Sequence, residues 1–96
     1  MTKSYLLVFS DKTGSRDDIK EALNQMTKVK TWRTDMPNCF YVISDSSAQE
    51  LYEEFTSIRG TNGRFLFAET ASNRQGLLPP DSWYLLKNKK LKPKES

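Results

Sequence analysis

The sequence contains no histidine and a single cysteine, Cys39. The first absence excludes Ser-His-Asp and Cys-His catalysis, the histidine-containing zinc sites and the commonest general acid–base at neutral pH. Any chemistry would fall to carboxylates, lysine, tyrosine or a bound metal. The second rules out an intramolecular disulfide and suits a reducing compartment. Long apolar runs are missing too, since nothing approaches the roughly 18 residues that a membrane helix needs. The N-terminal run Tyr5-Leu6-Leu7-Val8-Phe9 is too short for a signal-peptide core and is followed by no cleavage site. The expectation is a cytoplasmic protein with no membrane partner. No P-loop, dinucleotide fingerprint or zinc spacing occurs, and no cofactor is expected.

What charge there is lies unevenly. The formal net charge is +3, but residues 87–96 hold five lysines against one acid, Glu95. Residues 1–86 therefore carry ten basic and eleven acidic residues, a net of −1. The high isoelectric point belongs to a lysine-rich tail, read as flexible, and not to a basic globular surface. Residues 1–86 are expected to form one domain, because 96 residues are too few for two separate cores.

Tyr5 to Ser10 reads as a strand, ended by the polar turn Asp11-Lys12-Thr13-Gly14. Ser15 suits a helix N-cap with Asp18 in the capping-box position, and Ile19, Ala22, Leu23 and Met26 follow on one helical face. Lys28 to Ser44 reads as a hairpin turning at Met36-Pro37-Asn38. A second helix starts near Ser47, with Glu50 three residues on. It carries the apolar stripe Ala48, Leu51, Tyr52, Phe55 and Ile58, and Gly60 suits its left-handed end. Arg64 to Glu69 is a fourth strand, Ala71 to Pro80 a loop, and Asp81 or the prolines before it open a short helix with Trp83 and Leu86. The order β-α-β-β-α-β predicts an α+β, ferredoxin-like fold. Its four-stranded antiparallel sheet has the order 4-1-3-2, with both main helices on one face.

One face of such a sheet is open, and a face in water should be polar. Here the first strand is apolar on both sides, with Tyr5, Leu7 and Phe9 against Leu6 and Val8. The third repeats this, with Cys39, Tyr41 and Ile43 against Phe40 and Val42. The open face therefore needs a cover. A second copy, the Leu77–Leu86 segment or a stacked single-stranded nucleic acid would each supply one. Phe40, Tyr41 and Trp83 are the residues expected at an apolar interface, and a homodimer through the sheet face is the expected assembly.

The loop Ala71-Ser72-Asn73-Arg74-Gln75-Gly76 groups donors and acceptors suited to phosphate, carboxylate or base edges, so Asn73, Arg74 and Gln75 are the candidate binding residues. The competing reading is an ordinary polar loop in which Arg74 bonds carbonyls at the end of the fourth strand. Asp17 with Asp18, and Glu53 with Glu54, are adjacent on helices and do not face each other, so neither is a catalytic pair. The first pair favours a helix N-terminus, and the second reads as a solvated face.

In strand and helix order the chain is similar to the RNA-recognition motif, which stacks bases on aromatics of strands one and three. Of that motif's third-strand pattern, Asn38-Cys39-Phe40-Tyr41-Val42 keeps only the aromatic–valine pair. Lys28, Lys30 and Trp32 share one parity of the second strand, as a basic and aromatic strip for nucleic acid would, but the preferred reading is an edge strand with solvated lysines and a tryptophan at the core margin. Over residues 4–86 the chain resembles the small ferredoxin-like CRISPR-associated proteins of the adaptation complex and their standalone relatives. The shared features are the first strand's apolar run ending near an acid, the hairpin with a central aromatic, and the helix start Ser46-Ser47-Ala48. The resemblance implies a dimer and, in some members, metal-dependent nuclease activity. The metal aspartate of those proteins directly follows an aromatic. Here Phe9 is followed by Ser10, and the acid comes one place later. Asp11 is thus the one candidate for a catalytic or metal-binding residue, and a turn-forming role competes for it. The reading that follows is a small non-enzymatic binding or regulatory domain, a homodimer with a further protein partner in view. Its alternative is a nucleic-acid binder or metal-dependent nuclease.

Overall fold

The computed structural model describes residues 1–93. Four strands, β1 (Lys3–Phe9), β2 (Thr31–Met36), β3 (Cys39–Ser44) and β4 (Phe65–Glu69), form one antiparallel sheet in the order β2-β3-β1-β4. That is the expected 4-1-3-2 order read from the other edge, so the architecture is ferredoxin-like α+β. The helices are α1 (Arg16–Gln25), α2 (Ala48–Arg59) and α3 (Pro80–Asn88), and a single 3-10 turn spans Asp11–Thr13.

Both main helices start where their sequences place a capping box. The Ser15 hydroxyl accepts from the Asp18 amide at 3.1 Å, and the Asp18 carboxylate accepts from the Ser15 amide at 2.9 Å. Ser47 and Glu50 repeat the arrangement on α2. Each box satisfies two otherwise orphaned amides, which fixes the first turn. Helix α3 has no side-chain cap and opens on Pro80, whose missing N–H costs nothing at that position. Gly60 closes α2 with φ of +78° but an extended ψ of −161°, so its positive φ is as expected while the left-handed helical conformation is not.

Helices α1 and α2 cover the face bearing Tyr5, Leu7, Phe9, Phe40 and Val42. Ile19, Ala22 and Leu23 of α1, with Leu51 and Phe55 of α2, close this core. Tyr52, assigned to the apolar stripe of α2, lies at its margin, 44% exposed and stacked on Phe65. Glu54 departs from the solvated-face expectation. Its carboxylate accepts from the Thr27 amide and hydroxyl and from the Lys28 amide, tying the turn before β2 to α2. Burial pushes that carboxyl up, but the bonds from Thr27 and Lys28 outweigh it and hold it below its usual range.

The opposite face is covered in part from within the chain. Helix α3 lays Leu85 and Leu86 on Tyr41 and Ile43, with Leu6, Leu78 and Trp83 at the margin. Lys87 and Asn88, placed at the start of the tail by the sequence, complete this helix, and Leu91 lies in a groove with Val29, Lys30 and Trp32. Lys94 to Ser96, also in the expected tail, lie outside the described residues.

Candidate ligand-binding groove

Between β2 and β3 the pairing slips, so that Arg33 faces Tyr41 and Met36 faces Cys39. Three steps along β2 match two along β3, which is a β-bulge. Simple alternation would send Asp35 and Met36 to opposite faces. The bulge instead brings both to the side of α3. The Tyr41 hydroxyl donates to Asp35 Oδ1 at 2.7 Å, the Ser82 hydroxyl donates to Asp35 Oδ2, and Arg33 Nε donates to the Ser82 oxygen at 2.8 Å. This polar cluster pins the first turn of α3 to the sheet. Burial, then the bond to Asp35, raises the Tyr41 phenol far above its ordinary range. Burial, then the charge of Asp35, also raises the Cys39 thiol. Both groups are therefore neutral at physiological pH.

Beside that cluster the chain runs from β4 across the open face to α3. It encloses a groove of about 310 Å³. Leu6 and Tyr41 come from the sheet, Trp83 and Leu86 from α3, and Arg74 and Gln75 from the connecting loop. Two residues expected at a polar recognition site thus meet two expected at an apolar interface. Arg74 is half-buried, and its guanidinium donates to the Ala71 carbonyl at 2.9 Å. Among the described residues no carboxylate pairs with it. Gln75 accepts from the Gly76 amide through its side-chain oxygen. Asn73 is exposed and does not line the groove.

The apolar interface needs correction at two positions. Phe40 faces α1 and α2, fully buried with its ring centroid 5.8 Å from that of Phe9 and 5.4 Å from that of Trp32. It shares no face with Tyr41, because neighbouring strand residues point to opposite sides. Tyr41 is itself 1% exposed beneath α3, so of the expected trio only Trp83 keeps a half-exposed surface. What stays apolar and open is a row across all four strands. Leu66 faces Val8, Val8 faces Cys39, and Cys39 faces Met36. Leu66 is 61%, Val8 46% and Met36 39% exposed, and Met36 leads into the groove.

Asp11 lies at the far end of the sheet in the 3-10 turn. Its carbonyl accepts from the Gly14 amide at 3.2 Å and its carboxylate from the Asn38 side chain at 3.0 Å. The first bond closes the turn after β1 and the second ties that turn to the hairpin turn at Asn38, which is the turn-forming role. Gly63, with φ of +73°, closes the same end: a Cβ there would stand 2.6 Å from the Ser10 hydroxyl and 2.7 Å from the Thr13 amide. Among the described residues no three or more Cys, Asp or Glu side chains cluster as metal ligands would.

The fold and groove define the chain as a small single-sheet α+β domain. Comparison with family models, curated proteins and solved structures finds no match.

Proposed function

We propose that this chain is a non-enzymatic binding domain that holds an apolar group next to a carboxylate, as at the C-terminus of an extended protein segment. The carrying observation is the half-buried, acid-free Arg74 in a groove whose lining is mostly apolar, Leu6, Tyr41, Trp83 and Leu86 among it, with Thr70 and Gln75 as its uncharged polar side chains. Pockets of this kind gain affinity from apolar burial and orientation from a few polar groups. A guanidinium is suited to that second task because its planar fork meets a carboxylate with two parallel bonds. Tyr41 cannot serve as a base here, since its phenol is held neutral by burial and by Asp35. The groove therefore supports recognition and offers no general base of its own.

The test is an NMR titration with N-acetyl-leucyl-phenylalanine, as free acid and as amide. The acid should shift the signals of Arg74, Trp83 and Leu86 and bind more tightly than the amide by about tenfold, as one charge-assisted bond allows. Arg74→Gln should abolish that preference while leaving the fold unchanged. If neither ligand moves those signals, or if the acid and the amide bind equally, the reading fails.

A further inference from the structure

The two edges of the sheet are treated differently. Edge strand β2 carries a bulge, the charged residues Arg33 and Asp35, and the C-terminal segment that lays Leu91 beside Thr31 and Trp32. Each of these features discourages another chain from pairing there. Edge strand β4 has no bulge and no segment laid along it, and its one charged residue, Glu69, stands at its end. It reads Phe65-Leu66-Phe67-Ala68-Glu69, it pairs only with β1, and no other backbone or side-chain bond reaches its main chain among the described residues. An unpaired row of N–H and C=O groups on a regular apolar strand is a template for strand addition.

The side chains flanking this edge say what would add. On the open face Leu66 is 61% exposed beside Val8. On the helix face Tyr52, 44% exposed, stacks on Phe65 with ring centroids 5.6 Å apart. An incoming strand would meet apolar surface on both faces, so it must itself be apolar at successive positions. Three strands of this chain qualify. β1 and β3 are interior to the sheet, with both edges already paired, which leaves β4.

We infer that β4 pairs antiparallel with β4 of a second copy, joining two four-stranded sheets into one of eight strands. Two-fold symmetry requires this antiparallel arrangement, and the same patch then serves both partners. Centred on Phe67, the pairing sets Leu66 against Ala68 of the second copy, Phe65 against Glu69 and Arg64 against Thr70. No like charges fall opposite each other. The interface meets the Arg74 groove at one lining residue, Thr70, and leaves Arg74, Trp83 and Leu86 outside the paired strands.

The test is light scattering combined with amide hydrogen exchange on the full chain. The expected mass is twice that of the chain, falling to one chain on dilution, with concentration-dependent slowing of exchange confined to Phe65–Glu69. Leu66→Lys, at an exposed position, should return the mass to one chain with an unchanged circular dichroism spectrum. Arg74→Gln should leave the dimer intact, which separates this inference from the groove reading. A single-chain mass up to high micromolar concentration overturns the proposal. So does a dimer that survives Leu66→Lys, or one whose slowed amides lie along Val8 and Cys39, as face-to-face stacking would give. Were Leu66→Lys to misfold, the exchange pattern of the unaltered chain would still decide between edge and face.

Discussion

The two faces of the sheet are closed by different means. Toward α1 and α2 the closure is almost wholly apolar, with Tyr5, Leu7, Phe40, Val42, Leu51 and Phe55 all at 1% exposure or less. Toward α3 the apolar cluster is small, four buried residues, and a hydrogen-bonded set of Asp35, Ser82, Tyr41 and Arg33 stands beside it. Apolar burial is non-directional and sums with area, so the first face supplies most of the stability. Hydrogen bonds give modest net stability but strict geometry, so the second face supplies position. Helix α3 is placed as much as it is packed. That placement is what forms the groove, since Trp83 and Leu86 must stand at a fixed distance from Tyr41 and from the loop bearing Arg74.

If this contrast is correct, mutations on the two faces should differ in size and kind. The largest loss should come from Phe40→Ala, which empties the centre of the first core between Phe9 and Trp32. A cost of about 3–5 kcal/mol is expected, read as a fall in the urea midpoint that is the same by every probe. A smaller loss should follow Asp35→Ala. That change leaves the Tyr41 and Ser82 hydroxyls without their acceptor, at a cost of about 1–3 kcal/mol. Its signature is local: faster amide exchange in α3 and the loop before it, with α1 and α2 unaffected. Equal effects from the two substitutions, or an Asp35→Ala protein whose α3 amides exchange as before, would show that the faces are not built differently.

How far the sequence revealed this contrast depended on whether the signal was local. The capping pairs Ser15–Asp18 and Ser47–Glu50, the Pro37-Asn38 turn and the two-sided apolar strands are each contained in a few residues, and the structure has them where their chemistry requires. The need for a cover over Tyr41 and Ile43 was equally legible. Which of three candidates met it was not, because that turns on where a ten-residue loop sets down α3. The bulge was hidden for another reason. A shift between Arg33 and Met36 leaves no trace in residue type, yet it moves Asp35 and Met36 to one face and so creates both the polar cluster and one end of the groove. Glu54 was hidden in the same way, its three donors lying 26 and 27 residues away in sequence. Arg74 and Gln75 were singled out by type, Tyr41 by strand parity and Trp83 as an apolar residue of the short last helix, but only the fold brings the four together.

The smallest expected effect divides the faces by pH. Asp18, Glu50 and Glu54, which anchor α1, α2 and the turn before β2, all have carboxyls held below their usual range. Ser15 and Ser47 bonds are the leading cause at the first two, and the Thr27 and Lys28 bonds overcome burial at the third. A depressed folded value favours the ionised form in the folded state. The resulting stability is complete above the ordinary carboxylate values, about pH 4, and is lost as pH falls through the folded values. The α3 face responds at the other extreme. Tyr41 is raised by burial first and then by Asp35, so folding favours its neutral phenol. That contribution is complete below the ordinary phenol value, about pH 10, and is lost as pH rises from there toward the folded value. Tyr5, raised by burial and by Glu69 and Glu50, and the Cys39 thiol, raised by burial and by Asp35, add alkaline responses of their own. Melting temperature measured against pH should therefore be level from about pH 4 to the ordinary thiol value, about 8.5, and decline on both sides. Tyr41→Phe should flatten the alkaline decline and leave the acid limb untouched. Should the alkaline limb survive Tyr41→Phe at full depth, the phenol–Asp35 bond adds nothing to folding, and the position of α3 would rest on the Ser82 bonds to Asp35 and Arg33 alone.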